Sequence, residues 1–288
     1  EETPAEISSL YRELLIGVTS FFRDPKILEN LEMNVLPELL QRHPNRELRF
    51  WTAGCSTGEE AYTLAIIARE VTARLGITRD IKIFATDIDR DAIARAGSGL
   101  YPESIAADLR PELLSRYFYS RGDSFQVARN IREMVVFAQH NLVKDPPFPR
   151  IDLVSCRNLL IYLQSNLQQR ALEMFSFSLQ PGGILLLGSS ETVGDMEDTF
   201  EPIDRKARIY RATGKGRYHA GLSDLRKQSK TIAAAPGAAN GIVQQTRHSV
   251  RQQDRLMTRL LDSLAESYAP LTVVVNEQLE VLYSIGDP

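Results

Sequence analysis

The sequence predicts an α/β fold built on a mostly parallel, doubly wound sheet. Short apolar runs typical of buried strands alternate along the chain with longer amphipathic segments typical of helices. A glycine-containing turn joins the first strand to the next helix, and polar side chains stand directly after several strands. Because the carboxyl ends of parallel strands meet at one edge of the sheet, we expect a ligand site there.

Composition is that of an ordinary globular protein. The 288 residues are 43% hydrophobic and 25% charged, and the net charge of −3 gives no reason to expect nucleic acid as a partner. No apolar run approaches the roughly 20 residues of a membrane span, and the N-terminus lacks a secretion-signal pattern. We therefore expect a cytoplasmic protein without membrane insertion. The scattered histidines predict no metal. Cys55 and Cys156 could form a disulfide, but two thiols in such a chain more often stay reduced.

The N-terminal region, residues 1–45, is predicted to be a helical stub. Residues 7–16 are predicted to form one short amphipathic helix, and residues 26–40 a second. Asp24 is the expected cap of the second helix, and Pro25 suits its first turn.

An apolar pair, Phe21 and Phe22, lies between these two helices, and burial preference assigns both side chains to the core. Thr19 and Arg23 flank the pair in a segment that cannot be helical throughout. Both are therefore candidate site residues.

The main domain, residues 46–213, begins with a predicted strand at residues 48–53 and a helix at residues 61–75. Gly54 and Gly58 lie in the turn between them, where helix-terminal amides can bind ligand oxygens. Their spacing does not match the dinucleotide fingerprint G-x-G-x-x-G, and a glycine turn before a helix is by itself a weak signal.

Asp87 follows the second predicted strand, residues 81–86. At this position in α/β folds, an acidic residue hydrogen-bonds the two ribose hydroxyls of an adenosine, and the upstream glycine turn favours that role. Alternatively, Asp87 caps the helix at residues 90–96, although Asp89 is the better cap candidate.

Residues 97–133 are predicted to be an inserted subdomain, because aromatic residues, turns and charges replace the regular alternation there. It should contain a short helix at residues 111–117 and a small β-hairpin. An inserted segment that lies over one end of a sheet commonly determines substrate specificity.

The strongest site signal follows a short apolar run, Ile151–Cys156, which is typical of a strand buried on both faces. A helix is predicted from Asn158 to about residue 179. Arg157 and Asn158 stand between the strand and this helix, and Tyr162 follows one helical turn later.

Weaker predictions complete the main domain. Asn141 follows the third strand, residues 134–139, and could hydrogen-bond an aromatic base or be a loop residue. A Pro-Gly-Gly sequence at residues 181–183 should end the long helix before a strand at residues 184–187. Residues 207–211 should form the last strand, at an antiparallel edge of the sheet.

The composition changes after the main domain. Residues 214–251 are basic and rich in alanine, proline and glycine, which is typical of a flexible linker. Residues 252–288 are predicted to contain an amphipathic helix at residues 255–264 and a hairpin-like pair of strands, residues 271–275 and 279–283.

Five segments, in this order, resemble the chemotaxis receptor methyltransferases of the CheR type, which esterify glutamate side chains with S-adenosylmethionine. They are Val18-Thr-Ser-Phe-Phe-Arg23, Ala53-Gly-Cys-Ser-Thr-Gly-Glu-Glu60, Phe84-Ala-Thr-Asp-Ile-Asp89, His140-Asn-Leu142 and Cys156-Arg-Asn-Leu-Leu-Ile-Tyr162. Together they cover about residues 10–212, and their combination is specific where no single segment is. The resemblance implies a Rossmann-like class I S-adenosylmethionine-dependent methyltransferase fold.

The resemblance also assigns cofactor-binding roles. The implied ligands of S-adenosylmethionine are Thr19, Arg23, Glu60, Asp87, Asn141, Leu142, Arg157 and Asn158. Glu60 and Asp87 would bind its amino-acid and ribose parts, and Asn141 and Leu142 would flank adenine. Glu59 could replace Glu60, since adjacent helical side chains point about 100° apart and only one can face the ligand.

Arg23 and Tyr162 are the implied catalytic residues. Arg23 is suited to hold a carboxylate, and Tyr162 could orient either partner through its hydroxyl. A glutamate side chain ordinarily has a pKa of about 4.3, so a glutamate acceptor needs no general base to become a nucleophile.

The implied substrate is a set of helices in a chemoreceptor or similar methyl-accepting protein. In the family an N-terminal helical domain helps to grip them, and only a stub precedes Thr19 here. The turn at residues 119–124 is shorter than expected of members that dock a receptor's C-terminal peptide, so we expect no tethering peptide. The tail from Arg255 resembles the start of a PAS-type sensor domain, as in methylesterase–methyltransferase fusion proteins of bacterial two-component signalling. The chain would then be a piece of a larger protein.

Three other functions remain open at this point. A nicotinamide-dependent oxidoreductase also uses a glycine turn and a strand-end acid, but the missing fingerprint argues against it. A small-molecule methyltransferase would use the glycine turn and Asp87 equally well. A non-catalytic module of a signalling protein could bind S-adenosylmethionine as a sensor.

Overall fold

The computed structural model describes residues 19–42 and 46–214, together with the strands at residues 272–275 and 281–285. The chain divides into two compact units, Glu1–Gln228 and Ser229–Pro288. All the candidate site residues belong to the first unit.

Ten strands are described in the first unit. They are β1 (Leu48–Ala53), β2 (Ile81–Asp87), β3 (Leu100–Pro102), β4 (Phe118–Arg121), β5 (Ser124–Val127), β6 (Val135–Gln139), β7 (Ile151–Cys156), β8 (Leu179–Leu187), β9 (Phe200–Asp204) and β10 (Ile209–Ala212). Seven of them form the central sheet, in the order β6-β2-β1-β7-β8-β10-β9. Neighbours are parallel except at β10, which is antiparallel to both β8 and β9. The strand order runs outward in opposite directions from β1 and β7, which places a crevice at their carboxyl ends.

Helices cover both faces of this sheet. They are α1 (Pro25–Asn30), α2 (Leu36–Arg42), α3 (Glu59–Leu75), α4 (Arg90–Ser98), α5 (Pro111–Tyr117), α6 (Arg129–Arg132) and α7 (Ser165–Ser178), with a π-helical turn at Leu31–Val35 between α1 and α2. On one face α1 to α3 bury an apolar cluster that includes Leu31, Ile66 and Ile83. On the other face, Phe175 of α7 packs against Trp51 of β1 with the ring centroids 5.5 Å apart. The predicted Rossmann-like, doubly wound architecture is confirmed.

A separate three-stranded sheet follows α4, with strand order β3-β5-β4 and antiparallel pairing throughout. Helix α5 begins at Pro111, as predicted, because proline suits the first helical turn. The predicted hairpin is β4–β5, and β3 adds a strand that the sequence did not reveal. Tyr101 and Phe118 of this sheet pack edge-to-face on Phe21, at 4.9 and 5.3 Å, which fastens it to the main core. The domain and linker boundaries given above stay predictions.

Two strand predictions were wrong in part. The antiparallel strand β10 is not at the edge of the sheet, because β9, which no pattern indicated, lies outside it. The Pro-Gly-Gly sequence does not end a helix. Helix α7 already ends at Ser178, and residues 181–183 lie within β8, where the register with β7 shifts. Gly182 takes φ +79° there, a conformation that glycine adopts without a steric penalty.

The second unit contains β11 (Thr272–Val275) and β12 (Val281–Ile285), which pair antiparallel. The predicted hairpin is thus confirmed, with its second strand displaced by two residues. The helices predicted at residues 7–16 and 255–264, and nearly all of the predicted linker, lie outside the described residues. No helix in the described ranges has the length and apolar character needed to cross a bilayer.

Candidate active site

Asp87, at the carboxyl end of β2, holds the glycine turn that precedes α3. Its carboxylate accepts the Ser56 N–H at 2.8 Å and the Asp89 N–H at 2.9 Å. The carbonyl of the preceding residue accepts two further N–H groups of the turn, at 2.8 and 2.9 Å. Each carboxylate oxygen keeps a second lone pair, so Asp87 can still accept hydrogen bonds from hydroxyl groups. The alternative that Asp87 caps α4 is wrong, because Asp89 accepts the cap hydrogen bonds.

Gly54 and Gly58 are both required by the packing of this turn. Gly58 has φ +96°, and a Cβ there would lie 2.8 Å from the Cβ of Ala96. Gly54 has φ +73°, and its Cβ would lie 2.7 Å from a methyl carbon of Leu159. The two glycines therefore let the turn fit between α4 and the segment after β7.

The two carboxylates at the start of α3 point to different sides. Glu59 accepts the Thr57 hydroxyl at 2.7 Å, within its own turn. Glu60 faces the end of β7, where it accepts the Ser155 hydroxyl at 2.6 Å and lies 3.8 Å from the Arg157 guanidinium. Burial raises the pKa of both carboxyls, and at Glu60 the Arg157 charge and the Ser155 hydrogen bond offset part of that rise. Of the two, Glu60 shares the crevice with Arg157.

Arg157 is buried and links the end of β7 to the segment before α1; this link is called the Arg157 clasp. Its side chain is 2% exposed and donates to the Arg23 carbonyl at 2.8 Å and to the Asp24 carboxylate at 2.7 Å. Asp24 is the N-cap residue of α1, as predicted, but its carboxylate pairs with Arg157 and makes no cap hydrogen bond. The Arg157 clasp brings the segment that carries Thr19 and Arg23 to the carboxyl end of β7.

This N-terminal segment packs against the core beside the site. Phe21 is 2% exposed, as predicted, whereas Phe22 is only partly buried and has φ +51°. Thr19 and Arg23 are half-buried. Burial is the main influence on the pKa of Glu60, but the positive charge of Arg23 lies close enough to lower it. The structure therefore brings the Arg23 side chain within electrostatic range of Glu60.

The segment after Arg157 is not the start of a helix, contrary to the prediction. Asn158 has φ +59°, Leu160–Tyr162 forms a single 3-10 turn, and α7 begins only at Ser165. The backbone is extended at Leu163 and Gln164, which separates the 3-10 turn from α7. Glu191, which is 3% exposed, accepts the N–H groups of Asn158 and Leu160 at 3.1 and 2.7 Å and so holds the segment in this conformation.

Glu191 is the residue that sequence reasoning missed. It stands in the turn after β8, and its carboxylate also accepts the Gly188 N–H at 2.6 Å. Asp87 was identified because it stands directly after a predicted strand, whereas Glu191 comes four residues after β8 ends, so the same signal was weaker here.

Tyr162 lies at the surface end of the 3-10 turn. Its side chain is 52% exposed, and that of neighbouring Ile161 is 46% exposed. Ile161 also lines a small cavity of about 80 Å³ together with Gln168 and Thr192. Exposed apolar side chains beside a crevice are suited to contact with a partner molecule.

Asn141 is largely occupied by its own loop. Its side-chain oxygen accepts two N–H groups from the residues that follow, at 3.0 and 3.2 Å, and its own N–H donates to Asp145 at 2.7 Å. The loop-residue interpretation therefore accounts for this oxygen. Leu142 is partly buried in the apolar cluster around Trp51. Both residues follow β6, next to the end of β2.

Both cysteines are buried free thiols, as expected. Burial raises the pKa of Cys55 and Cys156, and the nearby carboxylates of Asp87 and Glu191, respectively, raise them further. Neither thiol is activated as a nucleophile. Within residues 19–42 and 46–214, no group of three His, Cys, Asp or Glu side chains is placed to share a metal ion.

Comparisons with known proteins agree with this arrangement. The family described as CheR methyltransferase, SAM binding domain, matches residues 17–209. The chain is 40% identical over 284 residues to the uncharacterized 104.1 kDa protein in the hypE 3′ region of Rhodobacter capsulatus, covering 98% of this chain but only 29% of that protein. It is 32% identical over 229 residues to chemotaxis protein methyltransferase 2 of Vibrio cholerae, covering 78% of each. It is 36% identical over 195 residues to the chemotaxis protein methyltransferase of Borreliella burgdorferi, covering 65% of this chain and 69% of that protein.

Proposed function

The chain belongs to the CheR methyltransferase family, and we propose that it methylates glutamate side chains of a chemoreceptor or a similar methyl-accepting protein. The methyl donor would be S-adenosylmethionine, and the products would be glutamate methyl esters and S-adenosylhomocysteine. One observation carries the proposal: Glu60, Asp87, Arg157 and Asn158 converge at the carboxyl ends of β1, β2 and β7, inside the region that the family matches. We place this activity in the cytoplasm.

The residues present fit S-adenosylmethionine. Asp87 keeps free lone pairs at the end of β2, where a ribose would be bound. Glu60 is a partly buried carboxyl, 17% exposed, whose pKa burial raises in spite of Arg157. A site of this kind favours an additional positive group, such as the ammonium of the ligand. Arg23 and Arg157 supply the positive charge that suits its carboxylate.

S-adenosylmethionine supplies, when bound, a methyl group on a positively charged sulfonium, which a carboxylate oxygen takes up without transfer of a proton. The protein therefore needs no general base, since a glutamate with an ordinary pKa of about 4.3 is already ionised at neutral pH. Its residues would hold the reacting groups in line and exclude water. In this proposal Arg23 holds a carboxylate, and Tyr162 orients the acceptor through its hydroxyl.

The surface around Tyr162 favours a protein acceptor over a small molecule. Tyr162 and Ile161 follow β7 and are about half exposed, so their side chains are available for contact with a protein acceptor. The turn between β4 and β5 contains only two residues, 122 and 123, which supports the proposal that no receptor peptide tethers to it. The assignment of residues 252–288 to a PAS-like domain of a fusion protein is likewise a proposal.

Calorimetric titration with S-adenosylhomocysteine tests the cofactor site. Asp87→Ala should weaken binding at least tenfold, which corresponds to about 1.4 kcal/mol. Transfer of a labelled methyl group to a receptor fragment, followed by its release as methanol in base, tests the glutamate ester. If the unaltered chain binds no S-adenosylhomocysteine, the methyltransferase proposal is wrong. Binding without any transfer to receptor fragments would favour the sensor alternative.

A further inference from the structure

We propose that Glu191 is a positioning residue for methyl transfer, because it holds the backbone that presents Tyr162 at the crevice. The inference rests on the proposed function. Glu191 is 3% exposed, and its two oxygens accept the N–H groups of Gly188, Asn158 and Leu160 at 2.6, 3.1 and 2.7 Å. One carboxylate thus joins the turn after β8 to the segment after β7, two residues before Tyr162.

The backbone around this carboxylate is built to receive it. Asn158 takes φ +59°, an uncommon conformation for a residue with a side chain. A Cβ at Gly188 would lie 2.8 Å from both the Asn158 nitrogen and a Glu191 oxygen. In the described ranges Glu191 has no ion pair, so backbone N–H groups compensate its buried charge.

Two separate contacts hold the segment after β7, one at Arg157 and one at Glu191. Arg157 is fastened to Asp24, whereas Asn158 and Leu160 are fastened to Glu191. Loss of the Glu191 carboxylate should therefore release the Asn158–Leu160 half and leave the Arg157 half in place. The expected signature is a loss of turnover that exceeds the loss of cofactor affinity.

Glu191→Gln is the most informative variant. An amide has one carbonyl oxygen, and its NH₂ group must face at least one of the three N–H donors that now point at a carboxylate. Glu191→Asp keeps the charge but is one methylene shorter, and it should give an intermediate effect. Asp152→Asn is the matched control. Asp152 is also a buried acid, 1% exposed, but it lies at the opposite end of β7 and is held by Arg46 and the Arg49 N–H.

We would measure methyl transfer, S-adenosylhomocysteine binding and amide hydrogen exchange on the full chain. Glu191→Gln should lower kcat at least tenfold, change the Kd of S-adenosylhomocysteine less than threefold, and speed exchange at Asn158 and Leu160 at least tenfold. Asp152→Asn should lower the melting temperature and leave all three quantities within twofold.

The outcomes separate this inference from the function on which it rests. Unchanged kcat in a folded Glu191→Gln protein, or unchanged exchange at Asn158 and Leu160, would overturn the positioning role while the unaltered chain still transfers methyl groups. An equal loss of kcat in Asp152→Asn would reduce Glu191 to a general structural role. If the unaltered chain neither binds S-adenosylhomocysteine nor transfers a methyl group, the proposed function fails first, and the positioning role fails with it.

Discussion

Removal of the Asp24 carboxylate should loosen the N-terminal segment from the sheet. Asp24 accepts the Arg157 guanidinium at 2.7 Å, and the two side chains are 36% and 2% exposed. Deleting one partner of a fully buried ion pair costs about 3–5 kcal/mol, and a hydrogen bond to a charged group contributes about 1.5–3 kcal/mol. Because Asp24 is partly solvated and Arg157 keeps the Arg23 carbonyl, Asp24→Ala should cost about 1.5–2.5 kcal/mol of unfolding free energy.

Urea denaturation and calorimetric titration together test this prediction. The freed guanidinium should move toward the Glu60 carboxylate, now 3.8 Å away, and so occupy a group that the cofactor needs. We therefore expect affinity for S-adenosylhomocysteine to fall about tenfold. Glu38→Ala is the control, because Glu38 is 51% exposed in its pairs with Arg42 and Arg211 and should contribute less than about 1 kcal/mol.

Two results would refute the reasoning. If Asp24→Ala costs no more than Glu38→Ala, the Arg157 clasp does not stabilise the fold. If stability falls but S-adenosylhomocysteine binds as before, Arg157 anchors the N-terminal segment without serving the cofactor site.

Three further predictions follow from single contacts. Gly58→Ala should cost at least about 2 kcal/mol in urea denaturation, since its Cβ would be only 2.8 Å from a carbon of α4. Gly76→Ala is the control, because Gly76 has φ +65° but no atom within 4 Å of an added Cβ, and it should cost only about 1 kcal/mol of unfolding free energy. If both variants lose the same stability, the backbone conformation and not the close contact sets the cost. Burial raises the pKa of Glu60 above 4.5, so the carboxyl contributes stability below its unfolded pKa that is lost as pH rises. Ligand-free Glu60→Gln should therefore gain melting temperature relative to the unaltered chain as the pH rises above 4.5; a constant difference would contradict this. Because burial raises the pKa of Cys55 and Cys156, both thiols should react with a maleimide only after urea unfolds the chain, and rapid labelling of folded protein would show otherwise.

The site shows where sequence reasoning is strong. Asp87, Arg157 and Asn158 were found because they stand directly after buried strands, and the carboxyl ends of parallel strands meet at one edge. Helix α5 was found because a proline marks its first turn. These signals are local, since each depends on a few neighbouring residues. The roles of these residues toward the cofactor stay predictions.

Several errors involve contacts between distant parts of the chain. An apolar periodic pattern from Asn158 predicted a helix, but Asn158 takes φ +59° and its N–H group is held by Glu191, 33 residues away. Asp24 had the sequence of a cap, but Arg157, 133 residues away, binds its carboxylate. The edge position assigned to β10 failed because β9 pairs outside it.

By itself the sequence determined the fold class, most of the strands and the edge of the sheet where the site lies, because hydrophobic periodicity and strand-end residues are local properties. Only the tertiary structure decided which of the adjacent carboxylates, Glu59 or Glu60, faces Arg157, and that Glu191 shapes the segment before Tyr162. Those contacts depend on how side chains from separate helices, strands and loops are oriented in the folded chain. A charged group that is removed from water must find a partner, and here the partners are far apart in the sequence.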